Sequence, residues 1–233
     1  MKLSTKKLTL VTLLTSVYVI IGYFPGIPMI GSSDSTIDLT RGIEMPYGFL
    51  LGPLYGPIAT FMGALIGKTL KGGGIGMYFT PLAIVSALIS GALYRKNIYK
   101  VKGWIIAASV FGVLLLGWYL TEAARVIPLY AFFHILSFGV ILLFREKLFE
   151  YMHSEDRKKL VLGVALSSFP ATMAAHLLGN IIYTILFNPD PLFYMSILPV
   201  SLIERLVFTV ISTLLATPLI EVVRKNYSDI LSD

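Results

Sequence analysis

The sequence predicts an all-α polytopic membrane bundle of about six to eight helices, one of them short and broken. Three observations predict it. First, 56% of the 233 residues are hydrophobic and only 14% are charged, against about 45–50% and about 25% in soluble domains. Second, apolar runs long enough to cross a bilayer, about 17–25 residues, follow one another with short polar connections. Third, the basic residues fall in alternate connections, as cytoplasmic loops of membrane proteins require. The net charge of +6 and pI near 9.4 therefore belong to a lipid-embedded chain, with no nucleic acid as partner. The absence of cysteine excludes a disulfide framework, thiol catalysis and cysteine-held metal. No motif calls for a metal or a cofactor.

The helices are expected at about 8–24, 42–52, 54–70, 76–94, 104–121, 128–145, 160–187 and 194–221, in one domain over 1–233. The first follows Lys2, Lys6 and Lys7. Its apolar core exceeds that of a signal peptide and no A-x-A site follows, so it reads as a retained helix. The stretch 42–70 is too long for one span and contains Gly52-Pro53 and Gly56-Pro57. Proline removes a backbone donor and glycine admits unusual angles, which predicts a break there. Charge supports the break. With eight crossings and both termini cytoplasmic, Lys2, Lys6, Lys7, Arg95, Lys96, Lys100, Lys102, Arg145, Lys147, Arg157, Lys158, Lys159, Arg224 and Lys225 all lie inside, 14 of the 19 basic residues. Seven crossings would invert that bias. The short 42–52 piece is then read as a half-helix that is buried against protein or lines a cavity. The connection 24–41, with Gly31, Ser32, Ser33 and Asp34, reads as an outer loop. Gly72-Gly73-Gly74 reads as a second one and lacks the pattern of a phosphate loop.

Polar groups inside spans are costly and mark candidate sites. His176 and Asn180 share one helix face, extended by Thr172 and Tyr183. In the last helix Ser201, Arg205, Phe208 and Ser212 form a second stripe, with Glu204 beside it. His176 and Arg205 each lie eleven residues from the outer end of their helix, roughly 16 Å deep. The functional reading is a ligand pocket opening outward and lined by His176, Asn180, Tyr183, Glu204 and Arg205. The bland reading is two helices held together by polar contacts. Asp38 and Arg41, after the first outer loop, could close over a ligand; Asp34, Asp38, Arg41 and Glu44 are otherwise solvated charges. Glu122 and Arg125, at i and i+3, read as an interfacial salt bridge. His134 reads as a lone core histidine, and Lys68 as a snorkelling one.

The run Phe49-Leu50-Leu51-Gly52-Pro53-Leu54-Tyr55-Gly56-Pro57-Ile58-Ala59, with Gly63, Gly67 and Pro81, resembles the second and third helices of a known family. These are the substrate-binding S components of energy-coupling factor (ECF) importers of vitamins and micronutrients. Ser86 to Lys96 is similar to that family's small-residue helix ending in basic residues, and Leu198-Pro199-Val200, Glu204, Pro218-Leu219 and Arg224-Lys225 are similar to its end. The resemblance spans about 5–102 and 160–225. It implies an S-component-like bundle in the cell membrane that captures a vitamin-like or cofactor-precursor solute from outside. Such a protein is not an enzyme; a separate transmembrane coupling subunit and ATPase subunits drive import. Two departures stand out. The family has six helices where eight are expected here, so 104–145 is an extra hairpin or displaces the later helices. The family's Ala-x-x-x-Ala docking pair is replaced by Thr12 and Ser16, the expected partner-docking residues. A rival reading is an intramembrane protease of the CAAX-processing type, which the sequence resembles at His176-x-x-x-Asn180, at Tyr130-x-x-x-His134 and, poorly, at Glu122-x-x-Arg125; it would use Glu122, His134, His176 and Asn180 to activate water. The paired glutamates of that family are missing. A carrier with two similar halves is disfavoured because no internal repeat is visible.

Overall fold

The structure, a computed structural model, describes residues 5–28 and 36–226. The expected outer-loop residues Gly31 to Asp34, and Lys2, lie outside the described residues. Among the described residues nine α-helices form the bundle: α1 (Thr5–Gly22), α2 (Arg41–Leu70), α3 (Pro81–Leu93), α4 (Gly103–Tyr119), α5 (Glu122–Val126), α6 (Phe132–Phe144), α7 (Glu146–Met152), α8 (Arg157–Phe187) and α9 (Pro191–Asn226). Two 3-10 turns, Ile75–Phe79 and Pro128–Ala131, lead into α3 and α6. Two antiparallel two-residue pairs, Ile27–Pro28 with Thr36–Ile37 and Asn97–Ile98 with Val101–Lys102, close loops. Four of the described helical segments are long and apolar enough to cross a membrane, or five if Pro128–Phe144 and Glu146–Met152 form one bent span; Lys7–Gly22 and Gly103–Tyr119 are shorter apolar helices.

The expected break is present. Gly52 has φ 77° and ψ −179°, a region open essentially only to glycine. It reverses the chain, because a Cβ on Gly56 would lie 2.9 Å from the Gly48 Cα, whereas eight residues of straight helix span about 12 Å. The helix α1 sees both arms. Tyr18 reaches Glu44 and Tyr47 reaches Leu14 O on the 41–51 arm, while Thr15 reaches Ala59 O on the 53–70 arm. Glycine lets α3 seal this hairpin: Cβ atoms on Gly48 or Gly91 would collide with the backbone of Ala87 or Gly52. Ser90 Oγ, which donates to Ser86 O at 2.8 Å, then also lies 3.2 Å from Met45 O.

Several boundaries differ from expectation. The segment 76–94 is a 3-10 turn plus a shorter helix, because Pro81 restarts the chain at the first helical position. After 104–121 an unexpected short helix, α5, appears; Thr121 Oγ1 caps it by accepting from Ala124 N at 3.2 Å, the usual role of an N-cap threonine. The expected helix 128–145 ends at Phe144, and α7 leaves it at 79° through Arg145 at φ 45°. Asn188, at φ 41° and ψ 55°, ends α8 in the left-handed conformation that asparagine tolerates.

The basic residues collect at one end. Arg95 lies beside Gly52, Lys7 over the Tyr55 ring and Arg145 over the Trp104 ring. Lys102 pairs with Glu146, and Arg157 with Glu221. At the opposite end Lys68 does not snorkel freely but donates to Gly76 O at 2.8 Å, and Lys71 donates to Gly22 O.

Candidate ligand site

A buried polar cluster sits in the half of the bundle away from the basic end. It is built by the 41–51 arm of α2, the Pro128–Ala131 turn with α6, and helices α8 and α9. Gly42 lets α2 approach α9: a Cβ there would lie 2.6 Å from Ile211 Cγ2 and 3.8 Å from Phe208. That approach brings Arg41 and Glu44 towards Arg205.

Glu44 is fully buried, so the reading of it as a solvated loop charge is corrected; it faces inward from the first turn of α2. Its Oε1 accepts from Arg41 Nη1 at 2.9 Å and from the Tyr18 hydroxyl at 3.0 Å. Arg41 Nη2 also reaches Phe79 O at 3.4 Å. On α9, Glu204 and Arg205 are both buried and pair at 3.3 Å. The Arg205 guanidinium lies 5.3 Å from the Phe208 ring centre. The charges of Arg41 and Glu44 act on Arg205, and the charge of Arg205 acts in turn on His134 and His176.

His134 is not a lone histidine. Its Nε2 lies 3.1 Å from His176 Nδ1, and the rings stack at 5.3 Å with 7° between planes. One turn away, Asn180 Nδ2 donates to the Tyr130 hydroxyl at 2.9 Å. The two i,i+4 pairs, Tyr130 with His134 and His176 with Asn180, thus face each other rung by rung across α6 and α8. Tyr130 packs in turn against Trp118 and Tyr194, with ring centres 5.1 and 5.3 Å away.

The expected site residues divide. His176, Asn180, Glu204, Arg205 and Arg41 share this cluster. Tyr183 turns to Phe187 and Phe193, at 4.8 and 5.6 Å. Asp38 organises the approach to α2 by accepting from Thr40 N at 3.1 Å. Glu122 and Arg125 are exposed on α5 and form no salt bridge with each other, which corrects the expected pair; Glu122 also stands apart from the histidines. Thr12 and Ser16 are exposed on α1, where each hydroxyl bonds a carbonyl one turn back. Sequence reasoning does not bring Glu44, Tyr18 or Tyr130 into this cluster. The i,i+4 spacing of Tyr130 and His134, matching that of His176 and Asn180, was the available signal.

Four buried atoms of this cluster have no hydrogen-bond partner among the described residues: Glu44 Oε2, Glu204 Oε1, Arg205 Nε and His134 Nδ1. Each such orphan costs about 1–3 kcal/mol. Two carboxylate acceptors, a cationic donor and an imidazole nitrogen are left open in this half of the bundle, a set that a polar ligand with both donors and acceptors would satisfy.

The fold and this site define a multi-pass membrane protein with a buried polar cluster between its helices. A family described as the S component of ECF-type riboflavin transporters matches residues 2–143, and the chain belongs to that family of transporter S components, which are binding proteins and not enzymes. An uncharacterised protein of Methanocaldococcus jannaschii is 33% identical over 196 residues, 83% of this chain and 64% of that protein. The chain therefore spans less than two thirds of the length of that relative. A crystal structure of the S component for biotin from an ECF-type ABC transporter aligns over 97% of this chain and 96% of its own, with 22% identity and a TM-score of 0.46.

Proposed function

We propose that this protein captures riboflavin, or a solute sharing its flat ring with mixed hydrogen-bonding edges, for an ECF-type importer. The observation that carries the reading is the family match over residues 2–143. The site supports it through the orphaned atoms of Glu44, Glu204, Arg205 and His134 beside the aromatic group of Trp118, Tyr130 and Tyr194. Arg41, Glu44, His134, His176, Asn180, Glu204 and Arg205 bind the ligand's polar edge, and Tyr183 and Asp38 lie at the approach. The solute enters from the end opposite the basic residues. The basic end, with both termini, faces the cytoplasm, in keeping with the positive-inside bias. The exposed Thr12 and Ser16 face of α1 docks a transmembrane coupling subunit, and separate ATPase subunits supply the energy.

The test is mass spectrometry of the denatured protein after purification in mild detergent, together with quenching of riboflavin fluorescence on titration. The wild type is expected to carry or bind a flat-ring compound, and the His176→Ala/Arg205→Ala variant to lose it. A folded wild type that neither carries a ligand nor quenches riboflavin would refute the substrate. A double change of Thr12 and Ser16 to leucine that left co-purification of the coupling subunit intact would refute the docking face.

A further inference from the structure

The basic end holds a buried arginine and a half-buried one with no ion-pair partner among the described residues. Arg95, just past α3, is 8% exposed. Its Nη2 lies 3.3 Å from where a Cβ of Gly52 would stand, and its guanidinium lies 5.2 Å from the Tyr94 ring centre. Arg95 Nη1 is buried without a hydrogen-bond partner, as is the Tyr94 hydroxyl. Arg224, in the last turns of α9, donates through Nη1 to Ser154 O at 3.3 Å and leaves Nη2 buried and unpartnered.

His153, in the α7–α8 turn, links the two sides. Its ring lies 4.5 Å from that of Tyr94, and the charges of Arg224 and Arg95 both act on it. Its Nδ1 donates to Phe149 O at 2.9 Å. Burial first, and then the two arginines, hold its pKa down at about 4, so it is neutral at pH 7. Among the described residues neither arginine has an ion-pair partner. Three acids of this end are engaged elsewhere, Glu146 with Lys102, Glu221 with Arg157 and Asp156 on Lys158 N at the start of α8, and Glu150 and Glu155 pair with neither arginine.

Two guanidiniums and a phenol thus present three orphaned donors, with nothing negative among the described residues to receive them. The planar fork of arginine matches phosphate oxygens, and one tetrahedral oxyanion offers acceptors enough for all three. Basic pockets between helices at the end of a membrane bundle hold anionic headgroups. We propose that Arg95, Arg224 and the Tyr94 hydroxyl form a phosphate-binding site, filled by the phosphodiester of an anionic phospholipid.

The test is native mass spectrometry of the full chain in detergent, titrated with phosphatidylglycerol or phosphatidylcholine, alongside thermal unfolding with inorganic phosphate. Phosphatidylglycerol is expected to remain bound where phosphatidylcholine dissociates. Arg95→Gln and Arg224→Gln are each expected to weaken it about fivefold, with Arg95→Lys falling between. If Arg95→Gln fails to fold, the less buried Arg224→Gln carries the comparison. Stabilisation of the wild type, but not of either glutamine variant, by inorganic phosphate without lipid selectivity would support the phosphate site and name a free anion as its source. Equal retention of both lipids with no response to phosphate overturns the proposal. Loss of the coupling subunit from Arg95→Gln, with neither probe bound by the wild type, overturns it too and assigns the cations to a carboxylate of that partner.

Discussion

Gly48→Ala should loosen the hairpin that carries Arg41 and Glu44 of the candidate ligand site. An alanine Cβ at this position would lie 2.1 Å from Ser90 Oγ, 2.3 Å from Ala87 O and 2.9 Å from Gly91 N. Ordinary carbon–oxygen contacts are about 3.3–3.6 Å, so α2 and α3 must part by roughly 1 Å. Two of the three atoms are backbone, so no rotamer change relieves the clash. Overpacking of this kind costs about 1–3 kcal/mol, and the upper end applies here. Alanine returns up to about 1 kcal/mol of helix propensity over glycine, which leaves a net loss of about 2–3 kcal/mol. Gly139→Ala is the control, since nothing lies within 4 Å of its Cβ position and only the propensity gain remains. Thermal unfolding in detergent, followed by size-exclusion of the surviving protein, reads both. Gly48→Ala should melt well below the wild type, and Gly139→Ala at or above it. The ligand affinity of Gly48→Ala should fall as well, because Arg41 and Glu44 ride on the displaced arm. A Gly48→Ala protein as stable as Gly139→Ala would refute the close backbone packing of the hairpin.

Asn180→Ala should cost about 1–3 kcal/mol by stranding the Tyr130 hydroxyl, and adding Tyr130→Phe should recover part of it; strictly additive melting shifts would show that the two side chains do not share a bond. Arg205→Ala leaves Glu204 buried and unpaired, a loss of about 3–5 kcal/mol, whereas Arg205→Met with Glu204→Gln should unfold later than the single variant. His153 gives a pH signature. Its folded pKa of about 4 lies below the ordinary 6.5, so between these values the folded state binds fewer protons than the unfolded one. Its contribution is complete above pH 6.5 and drains away as pH falls towards 4, by on the order of 1–2 kcal/mol after solvent screening. A His153→Gln melting curve with the same acid slope as the wild type would contradict this. Lys102→Ala should leave stability nearly unchanged, because the Lys102 and Glu146 side chains are 51% and 39% exposed; a clear loss in urea titration would mean that the pair anchors the α3–α4 loop.

The break at Gly52 is legible in the sequence because it rests on local chemistry: glycine followed by proline, in a span too long for the bilayer. That the two arms fold flat against each other is not legible, since it depends on Gly48, Gly56 and Gly91 meeting at backbone distance. Similar small residues occur on exposed helix faces, and only the neighbour decides which ones matter. The helices α5 and α7 escape the sequence for a related reason. Both are short, and a polar turn following an apolar run looks the same whether it frays or coils once more before the next span.

The candidate site shows where periodicity stops informing. His176 and Asn180 stand out because a polar stripe within an apolar helix carries a desolvation cost that lipid-facing residues avoid. Helical spacing names a face and leaves its partner open, so the sequence leaves His134 isolated and Glu44 solvated. The partner follows from the antiparallel course of α6 and α8, which sets Tyr130 opposite Asn180 and His134 opposite His176. Glu44 follows from Gly42, whose missing side chain lets α2 press onto α9 near Phe208. The orphaned atoms then sort the cluster: Tyr130 and Asn180 satisfy each other and hold helices together, whereas Glu44, Glu204, Arg205 and His134 each keep one atom unspent. In a membrane interior such atoms are too costly to serve packing alone, so within the proposed site these four have the most to gain from a ligand, whereas Asn180 also ties α8 to Tyr130.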